Sequence, residues 1–250
     1  MLLKDLITHL NELFFVPGLT DFAPNGLQIE GKQEILKVAT AVTANLETIE
    51  EAIEKGVDAL IVHHGLFWQR ESYVISGIKK EKIFKLLKQG ISLFAYHLPL
   101  DFHREIGNNW KAAMDMGWQN LQPFGFCNGI PIGVRGFISP CSKERFKEQL
   151  EKYYEHSAIE ALGGEGDISQ VALISGGSHK SIQEASEAGV YAFVTGSFDE
   201  PIWYQAKEEK INFFALGHSA TERIGPKALA VYLTNKLNLP CEFIDVYNPF

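Results

Sequence analysis

Histidines and carboxylates follow three apolar runs of the chain, each at the point where the run ends. The runs are ALIV, ISLFAY and INFFAL, and the residues that follow them are His63, His64, His97, Asp101, His218 and Glu222. Neutral imidazole and carboxylate together suit Zn²⁺, Mn²⁺ or Fe²⁺, whereas a magnesium site rarely uses several histidines. The residue types therefore predict a metal centre.

The number of donors indicates how many metals are bound. A single catalytic metal takes about three protein ligands and a water, and five donors remain when His97 is left aside. Five suit two divalent ions about 3.5–4 Å apart that share a carboxylate or a water. We expect His97 to orient a ligand, to face the substrate or to shuttle a proton. The alternative is that these histidines are hydrogen-bonded core residues.

The spacing of His218 and Glu222 leaves two local structures open. Residues four apart share one face of a helix, so both side chains would point to the same metal centre if both residues are helical. Alternatively, Ser219 or Thr221 is the N-cap, and His218 then lies just outside the helix.

The surrounding pattern explains why these side chains would meet. Short apolar runs alternate with segments of helical period, which indicates a mostly parallel sheet covered on both faces. Predicted strands are residues 35–44, 59–62, 91–96, 168–175, 191–195 and 211–216. Open α/β sheets build their sites at the carboxyl ends of such strands. Asn45 and Gly56 are the expected start and end signals of one intervening helix.

An internal repeat extends this pattern. A shift of 133 positions places residues 49–59 on residues 182–192 with seven of eleven residues identical, and a shift of 120 places residues 91–95 on residues 211–215. Two unrelated βαβ units could share Glu, Ala and Gly at helical spacing, which is the alternative explanation. The repeat favours an α/β fold of two related modules, an internal duplication, with mostly parallel sheets facing each other and a short bridging insertion. We predict modules at residues 1–120 and 168–250, joined by residues 121–167.

Composition excludes several classes of protein. The chain has 250 residues, 46% of them hydrophobic, and a net charge of −8, which argues against a nucleic-acid-binding protein with a global basic face. No apolar run approaches the roughly 20 residues that span a bilayer. The first residues read as an amphipathic helix and not as a signal peptide. Three widely spaced cysteines without a CxxC motif suit a reducing cytoplasm.

The sequence resembles the NIF-three-like family, also known as GTP cyclohydrolase 1 type 2 homologues. The matching segments, which run from about residue 21 to residue 223, are DFAPNGLQIEG, TAVTAN, DALIVHHGLFW, YHLPLDFHREIGNN, SGG, FVTGS and GHSATER. The resemblance implies two related α/β modules, a hexameric ring and a dinuclear metal site. Carried over to this sequence, the metal ligands are His63, His64, Asp101, His218 and Glu222, with Glu222 bridging.

The expected function is a metal-dependent hydrolase that acts on a nucleotide or another phosphorylated small molecule. The family name implies opening of the GTP purine ring, which also needs groups that hold a triphosphate. Candidates for these groups are Lys79, Lys80, Arg104, Arg135 and Arg223. One alternative is a ring-forming metal-binding or interaction protein without enzymatic activity. A nucleic-acid clamp with a basic lumen is a further and weaker alternative.

Overall fold

Strands and helices alternate along the chain in the computed structural model, which describes residues 1–250. The strands are β1 (Gly26–Ile29), β2 (Val38–Thr43), β3 (Ala59–His64), β4 (Ser92–Ala95), β5 (Gln119–Cys127), β6 (Ile130–Cys141), β7 (Ile159–Leu162), β8 (Ile168–Ile174), β9 (Ala192–Thr195), β10 (Asn212–Ala215) and β11 (Cys241–Phe243). The helices are α1 (Leu3–Leu13), α2 (Leu46–Glu54), α3 (Gly77–Gln89), α4 (Leu98–Phe102), α5 (Asn108–Asp115), α6 (Lys143–Tyr154), α7 (Ile182–Glu187), α8 (Ile202–Glu208), α9 (His218–Thr221) and α10 (Ile224–Leu237). The predicted α/β class is confirmed.

The chain forms two compact units, each built from more than one segment. The first unit consists of Met1–Leu100 and Gly225–Tyr247, and the second of Asp101–Ile224 and Asn248–Phe250. The chain therefore leaves the first unit within α4 and returns to it at the start of α10. These limits differ from the modules drawn from the repeat, and that division stays a prediction.

The first unit contains a five-stranded sheet in the order β1-β4-β3-β2-β11. The pairs β4-β3, β3-β2 and β2-β11 are parallel, and only β1 is antiparallel to its neighbour. Helices α2 and α3 cover one face, where Ile49, Ala52 and Leu86 pack with the strand residues Leu60 and Val62. The sheet is therefore mostly parallel, as predicted for this module.

The second unit contains a six-stranded sheet in the order β5-β6-β8-β9-β10-β7. Its central pairs β8-β9 and β9-β10 are parallel, but the other three pairs are antiparallel, so this sheet is mixed. Strands β5, β6 and β7 come from the segment 121–167 and its border, which we expected to be a bridge. These three strands belong to the second sheet, and α6 of the same segment contributes Phe146 and Leu150 to the core.

The duplication is visible in the pairing of the strands. The first sheet contains the order β1-β4-β3-β2, and the second contains β7-β10-β9-β8. In both sheets the first of these four strands is antiparallel and the other three are parallel. The register also corresponds, because Ala59 pairs with Ser92 in the first sheet and Ala192 pairs with Asn212 in the second. These are the positions that the shifts of 133 and 120 residues superpose.

Local signals in the sequence form the expected helix ends. The Asn45 side chain accepts a hydrogen bond of 2.8 Å from the backbone N–H of Thr48 and so caps α2. Gly56, two residues after α2, and Gly189, two residues after α7, have φ values of 63° and 69°. Both positions need the left-handed conformation that glycine adopts without strain, so the repeat preserves the same helix end.

No helix of the chain combines the length and the apolar character needed to cross a membrane. The longest helix, α10, has 14 residues, fewer than the roughly 20 of a spanning helix. The three cysteines form no disulfide.

Candidate metal centre

In the first unit, two histidines stand at the carboxyl end of β3. His63 is fully buried, and its Nδ1 lies 3.1 Å from the carbonyl oxygen of Tyr96, which follows the neighbouring strand β4. Because a carbonyl oxygen only accepts, Nδ1 of His63 carries the proton and Nε2 carries the lone pair. His64 is held by Thr43 of β2, whose Oγ1 lies 3.1 Å from its Nδ1. The two ring centroids are 4.5 Å apart.

A third histidine of the first unit joins this pair. The His97 ring lies 5.0 Å from the His63 ring and 5.7 Å from the His64 ring, measured between centroids. One ring nitrogen of each residue lies within 4.8 Å of the corresponding nitrogens of the other two. Trp68 meets His97 edge to face at 5.2 Å and lies 5.7 Å from His64. The sequence placed His97 beside the ligands, and the structure brings it to His63 and His64.

The position of His97 is fixed by a buried carboxylate, Asp21. Its Oδ1 lies 2.6 Å from Nδ1 of His97, and its Oδ2 accepts a hydrogen bond of 3.0 Å from the backbone N–H of Leu98. Asn25 donates to the same carboxylate at 2.8 Å and accepts the backbone N–H of His97 at 2.7 Å. Burial raises the pKa of Asp21, but the hydrogen bond and charge of His97 outweigh it and lower the pKa below its ordinary value.

Sequence reasoning did not single out Asp21 and Asn25 as members of the site. They lie in the loop before β1, where no strand ends and no helical period exists. The available signal was the segment DFAPNGLQIEG, in which Asp21 and Asn25 stand four residues apart. Their side chains bond to each other and to His97, so this segment supplies the support for an imidazole from a distant strand.

In the second unit, α9 presents His218 and Glu222. His218 is the first residue of α9, and its Nε2 lies 3.2 Å from Oε2 of Glu222. Glu222 follows the last residue of α9, so only His218 of the two is helical, and neither Ser219 nor Thr221 is the N-cap. Ser197, which follows β9, lies 3.1 Å from Nδ1 of His218 through its Oγ. The N-cap position before α9 belongs to Gly217, with a φ of 86°.

Asp101 is the second carboxylate of this unit. It is buried, and its Oδ1 accepts hydrogen bonds of 2.9 Å from Asn108 and from Ser175 at the end of β8. An oxygen of Asp101 lies within 4.8 Å of an oxygen of Glu222, which is also buried. Two buried carboxylates at this distance repel each other, and a bound divalent cation would relieve the repulsion. The donor chemistry of the second unit therefore fits a metal.

Gly176 gives Glu222 the space that it occupies. A Cβ atom at Gly176 would collide with the Glu222 carboxylate and come within 3.3 Å of Nε2 of His218. The residue also has a φ of 65°, and its carbonyl oxygen accepts the backbone N–H groups of Gly196 and Ser197. The SGG segment is thus a tight turn packed against the candidate ligands.

Three of the five basic residues proposed as phosphate partners have partners within the protein. Arg223 forms an ion pair of 3.3 Å with Glu155. The Arg104 guanidinium stacks 3.6 Å above the ring of Trp110, and burial lowers its pKa. Arg135 donates to Gln122. The structure thus gives these three side chains defined contacts without a ligand.

A comparison with protein families identifies the chain as a whole. The model of the family Duf34/NIF3 (NGG1p interacting factor 3) matches residues 1–249. The chain belongs to the Duf34/NIF3 family. The resemblance noted from the sequence motifs is therefore confirmed over the whole length.

Relatives within the Duf34/NIF3 family carry the name GTP cyclohydrolase 1 type 2 homolog. The protein of Chlamydia pneumoniae is 44% identical over 253 residues, and that of Chlamydia muridarum is 46% identical over 252 residues. Both alignments cover 100% of each chain. The chain therefore has the same extent as these relatives.

Solved structures show the same fold. Protein ybgI, described as a structural genomics target of unknown function, is 36% identical with a TM-score of 0.93, and all of both chains is covered. Reduced HcgD from Methanocaldococcus jannaschii is 26% identical with a TM-score of 0.87 over 98% of each chain. This chain therefore shares its fold with both solved proteins.

Proposed function

We propose that this Duf34/NIF3 protein is a dinuclear metal-dependent hydrolase that acts on a nucleotide or another phosphorylated compound. The ligands of the two metals are His63 and His64 from the first unit, and Asp101, His218 and Glu222 from the second. The main observation in support is that each unit contains imidazole or carboxylate groups suited to metal binding, and that hydrogen bonds already orient these groups. Such support is typical of metal-binding histidines and carboxylates.

The course of the chain supports the joint use of both sets of donors. Asp101 is the first residue of the second unit, and Glu222 stands two positions before its last residue in that segment, Ile224. Along the chain, both carboxylates therefore stand within a few residues of a point where the chain passes between the two units. His97, the last histidine before the first crossing, is four residues from Asp101.

Each group has a chemical role in this proposal. Metals held by these residues would lower the pKa of a coordinated water toward about 7 and so would supply a nucleophile at neutral pH. Glu222 would be the carboxylate shared by the two metals, because its oxygens approach both Asp101 and His218. His97 holds or moves a proton at Nε2, because Asp21 accepts the proton of Nδ1. Zn²⁺, Mn²⁺ and Fe²⁺ suit this donor set.

Metal analysis tests the proposal first. Protein without a histidine tag is reconstituted with Zn²⁺, Mn²⁺ or Fe²⁺, and bound metal per chain is measured for the wild type, His64→Ala and Glu222→Ala. We expect about two metals in the wild type and a loss in both variants. The loaded protein is then screened against nucleotides and phosphoesters. A wild type that retains no metal, or a loaded protein without turnover whose Glu222→Ala variant changes only stability, contradicts the proposal.

A second candidate function is a metal-binding interaction protein without catalysis. The specific observation is an exposed apolar segment before α3, in which the relative exposures of Tyr73, Val74 and Ile75 are 97%, 69% and 52%. Consecutive exposed apolar residues are typical of a contact surface, and the family resemblance implies a hexameric ring. A chelator that lowers the melting temperature while every activity screen is negative favours this function over the hydrolase.

The nucleic-acid clamp requires binding that weakens steeply as salt rises. Weak salt dependence of any nucleic-acid binding would exclude the clamp.

The cytoplasm is the compartment that we propose for this protein. The three cysteines form no disulfide, and burial raises the pKa of Cys241 to about 12, which keeps its thiol protonated. Thiols of this kind suit a reducing compartment.

A further inference from the structure

A cavity of about 620 Å³ lies in the second unit, and none of the candidate metal ligands lines it. It is formed by the end of α5 with the turn after it (residues 115–118), the last residues of β6 (138–141) and one side of α6. Small-molecule sites in proteins usually have volumes of about 300–1,000 Å³. The cavity is therefore large enough for a ligand with fused rings.

Aromatic side chains form part of the lining. Trp118 and Phe146 line the cavity although both are buried, and Tyr153 is half-buried. The Tyr153 hydroxyl donates a hydrogen bond of 2.9 Å to Asp115, which ties α6 to the end of α5. The ring of Tyr153 is thus held in place without a ligand. Aromatic side chains of this kind favour flat rings, which stack on them or meet them edge to face.

The negative charge in the lining is already balanced within the protein. Asp115 is the acidic residue of the lining. Its Oδ2 accepts from Tyr153, and its Oδ1 forms an ion pair with Lys111, one turn earlier on α5. Both carboxylate oxygens therefore have partners, and Asp115 does not need a cationic ligand.

Two cationic side chains of the lining have no such partner. Arg145 and Lys152 form neither an ion pair nor a side-chain hydrogen bond. Gln149 stands between them, and spacings of four and three positions put all three residues on one face of α6. The Arg145 charge also acts on the inner lining, because burial raises the pKa of the Cys141 thiol and Arg145 opposes this rise. The cavity therefore attracts an anion.

We propose that this cavity is a second binding site of the protein, which takes a small molecule with a flat aromatic ring and one acidic group. The ring lies against Tyr153 and Trp118, and the acidic group pairs with Arg145. Carboxylate and phosphate share this chemistry, since a guanidinium binds either with two parallel hydrogen bonds. The site uses residues of the second unit alone and does not depend on bound metal or on hydrolase activity.

Isothermal titration calorimetry with 2-naphthoate tests the site, and 2-naphthamide is the neutral probe of the same shape. We expect 2-naphthoate to bind once per chain and about tenfold more tightly than the amide, because only the acid pairs with Arg145. 2-Naphthylphosphonate carries the same ring and is not hydrolysed. The tighter binder of the two acids shows whether the site selects a carboxylate or a phosphate.

A pair of variants on α6 separates contact from net charge. Arg145→Gln should weaken 2-naphthoate binding about tenfold and leave 2-naphthamide binding unchanged. Lys147→Gln is the matched control, because Lys147 stands on the same helix, pairs with Glu160 at 3.4 Å and does not line the cavity. It removes the same charge from the chain, and we expect it to keep the affinity of the wild type. Circular dichroism checks that both variants are folded.

Three results overturn the proposal. One is a wild type that binds neither acid more tightly than the amide. Another is an equal loss of 2-naphthoate affinity in Arg145→Gln and Lys147→Gln, which would reflect net charge alone. The third is 2-naphthoate binding that is lost in Glu222→Ala and unchanged in Arg145→Gln, because the acid would then bind at the candidate metal centre.

Discussion

The carboxylate of Asp21 lies 2.6 Å from Nδ1 of His97, although the two residues are 76 positions apart in the chain. The contact joins the loop before β1 to the residues after β4. The strands β1 and β4 are antiparallel neighbours in the first sheet. The contact holds the imidazole beside His63 and His64. A single carboxylate thus connects the loop before β1 to the chemistry at the strand ends.

Replacing this carboxylate should lower the stability of the fold. Asp21→Asn removes the charge that strengthens the hydrogen bonds from His97 and Leu98. Hydrogen bonds to charged groups contribute about 1.5–3 kcal/mol, so we expect a loss of that size in the free energy of unfolding, measured with urea. Glu71→Gln, which removes an exposed ion pair with Lys79, should cost less than about 1 kcal/mol. An equal loss of unfolding free energy in both variants would show that the buried contact of Asp21 stabilises the fold no more than an exposed ion pair does.

A second buried carboxylate makes stability depend on pH. Burial raises the pKa of Asp58, but hydrogen bonds from the backbone N–H groups of Leu36 and Lys37 and from the Lys32 ammonium outweigh it and lower the pKa. A carboxyl with a lowered folded pKa stabilises the fold above its unfolded pKa of about 3.9, and this stabilisation is lost as pH falls through the folded pKa.

We therefore expect the effect of Asp58→Asn to vanish in acid. At pH 7 the variant should lose about 1–3 kcal/mol of unfolding free energy, and the difference from the wild type should shrink as pH falls below about 4. Unfolding by urea at several pH values measures this. Glu54→Gln, at an exposed position on α2, is the control with no comparable trend. A difference that is constant down to pH 3 would mean that the Asp58 carboxylate does not stabilise through its charge.

Much of the site could be predicted because parallel strands end at one edge of a sheet. The apolar runs located β3, β4 and β10, and the candidate ligands stand at the ends of these strands or within a few residues after them. That rule says nothing about the loop before β1, where Asp21 lies, because a loop has no periodicity that fixes its direction. Ser175 and Ser197 were missed for a different reason. Serines after strands are common in turns, and only the structure shows that they bond Asp101 and His218.

The antiparallel strands of the second sheet were not predicted from the sequence pattern. Residues 119–141 form the antiparallel pair β5-β6, whereas the sequence pattern assigned most of them to a bridging insertion. Proline is tolerated on an edge strand because its missing N–H would face away from the ladder, and β5 is such an edge. The parallel strands β8, β9 and β10 contain no proline, and their buried apolar residues were recognised.

The duplication predicts that two buried polar residues, one in each sheet, make equivalent hydrogen bonds. Ser92 and Asn212 are corresponding first residues of β4 and β10, and both are fully buried. Ser92 accepts the backbone N–H of Gly31 at 3.0 Å, and Asn212 accepts that of Gly164 at 3.2 Å. Each side chain therefore accepts a backbone N–H group from the segment that follows the antiparallel strand of its own sheet, β1 or β7.

Removing either acceptor should leave a buried N–H without its hydrogen bond. We expect Ser92→Ala and Asn212→Ala each to lower the free energy of unfolding by about 1–3 kcal/mol. Ser157→Ala, at an exposed position, should change it by less than about 0.5 kcal/mol. Thermal and urea unfolding of the three variants provide the comparison. Variants of Ser92 and Asn212 as stable as the wild type would contradict the shared role.

Two glycines allow backbone strain to be separated from crowding at the candidate ligands. Gly176 and Gly189 have similar φ values of 65° and 69°, but a Cβ at Gly176 would meet the Glu222 carboxylate, whereas one at Gly189 has nothing within 4 Å. Both alanine variants should lose about 1 kcal/mol of stability from the left-handed backbone. Only Gly176→Ala should also displace Glu222 and so weaken metal binding. We expect its metal content per chain to fall while Gly189→Ala retains that of the wild type, because Glu222 is a ligand only if its carboxylate keeps the space beside Gly176. Equal metal content in the two variants would remove Glu222 from the ligand set.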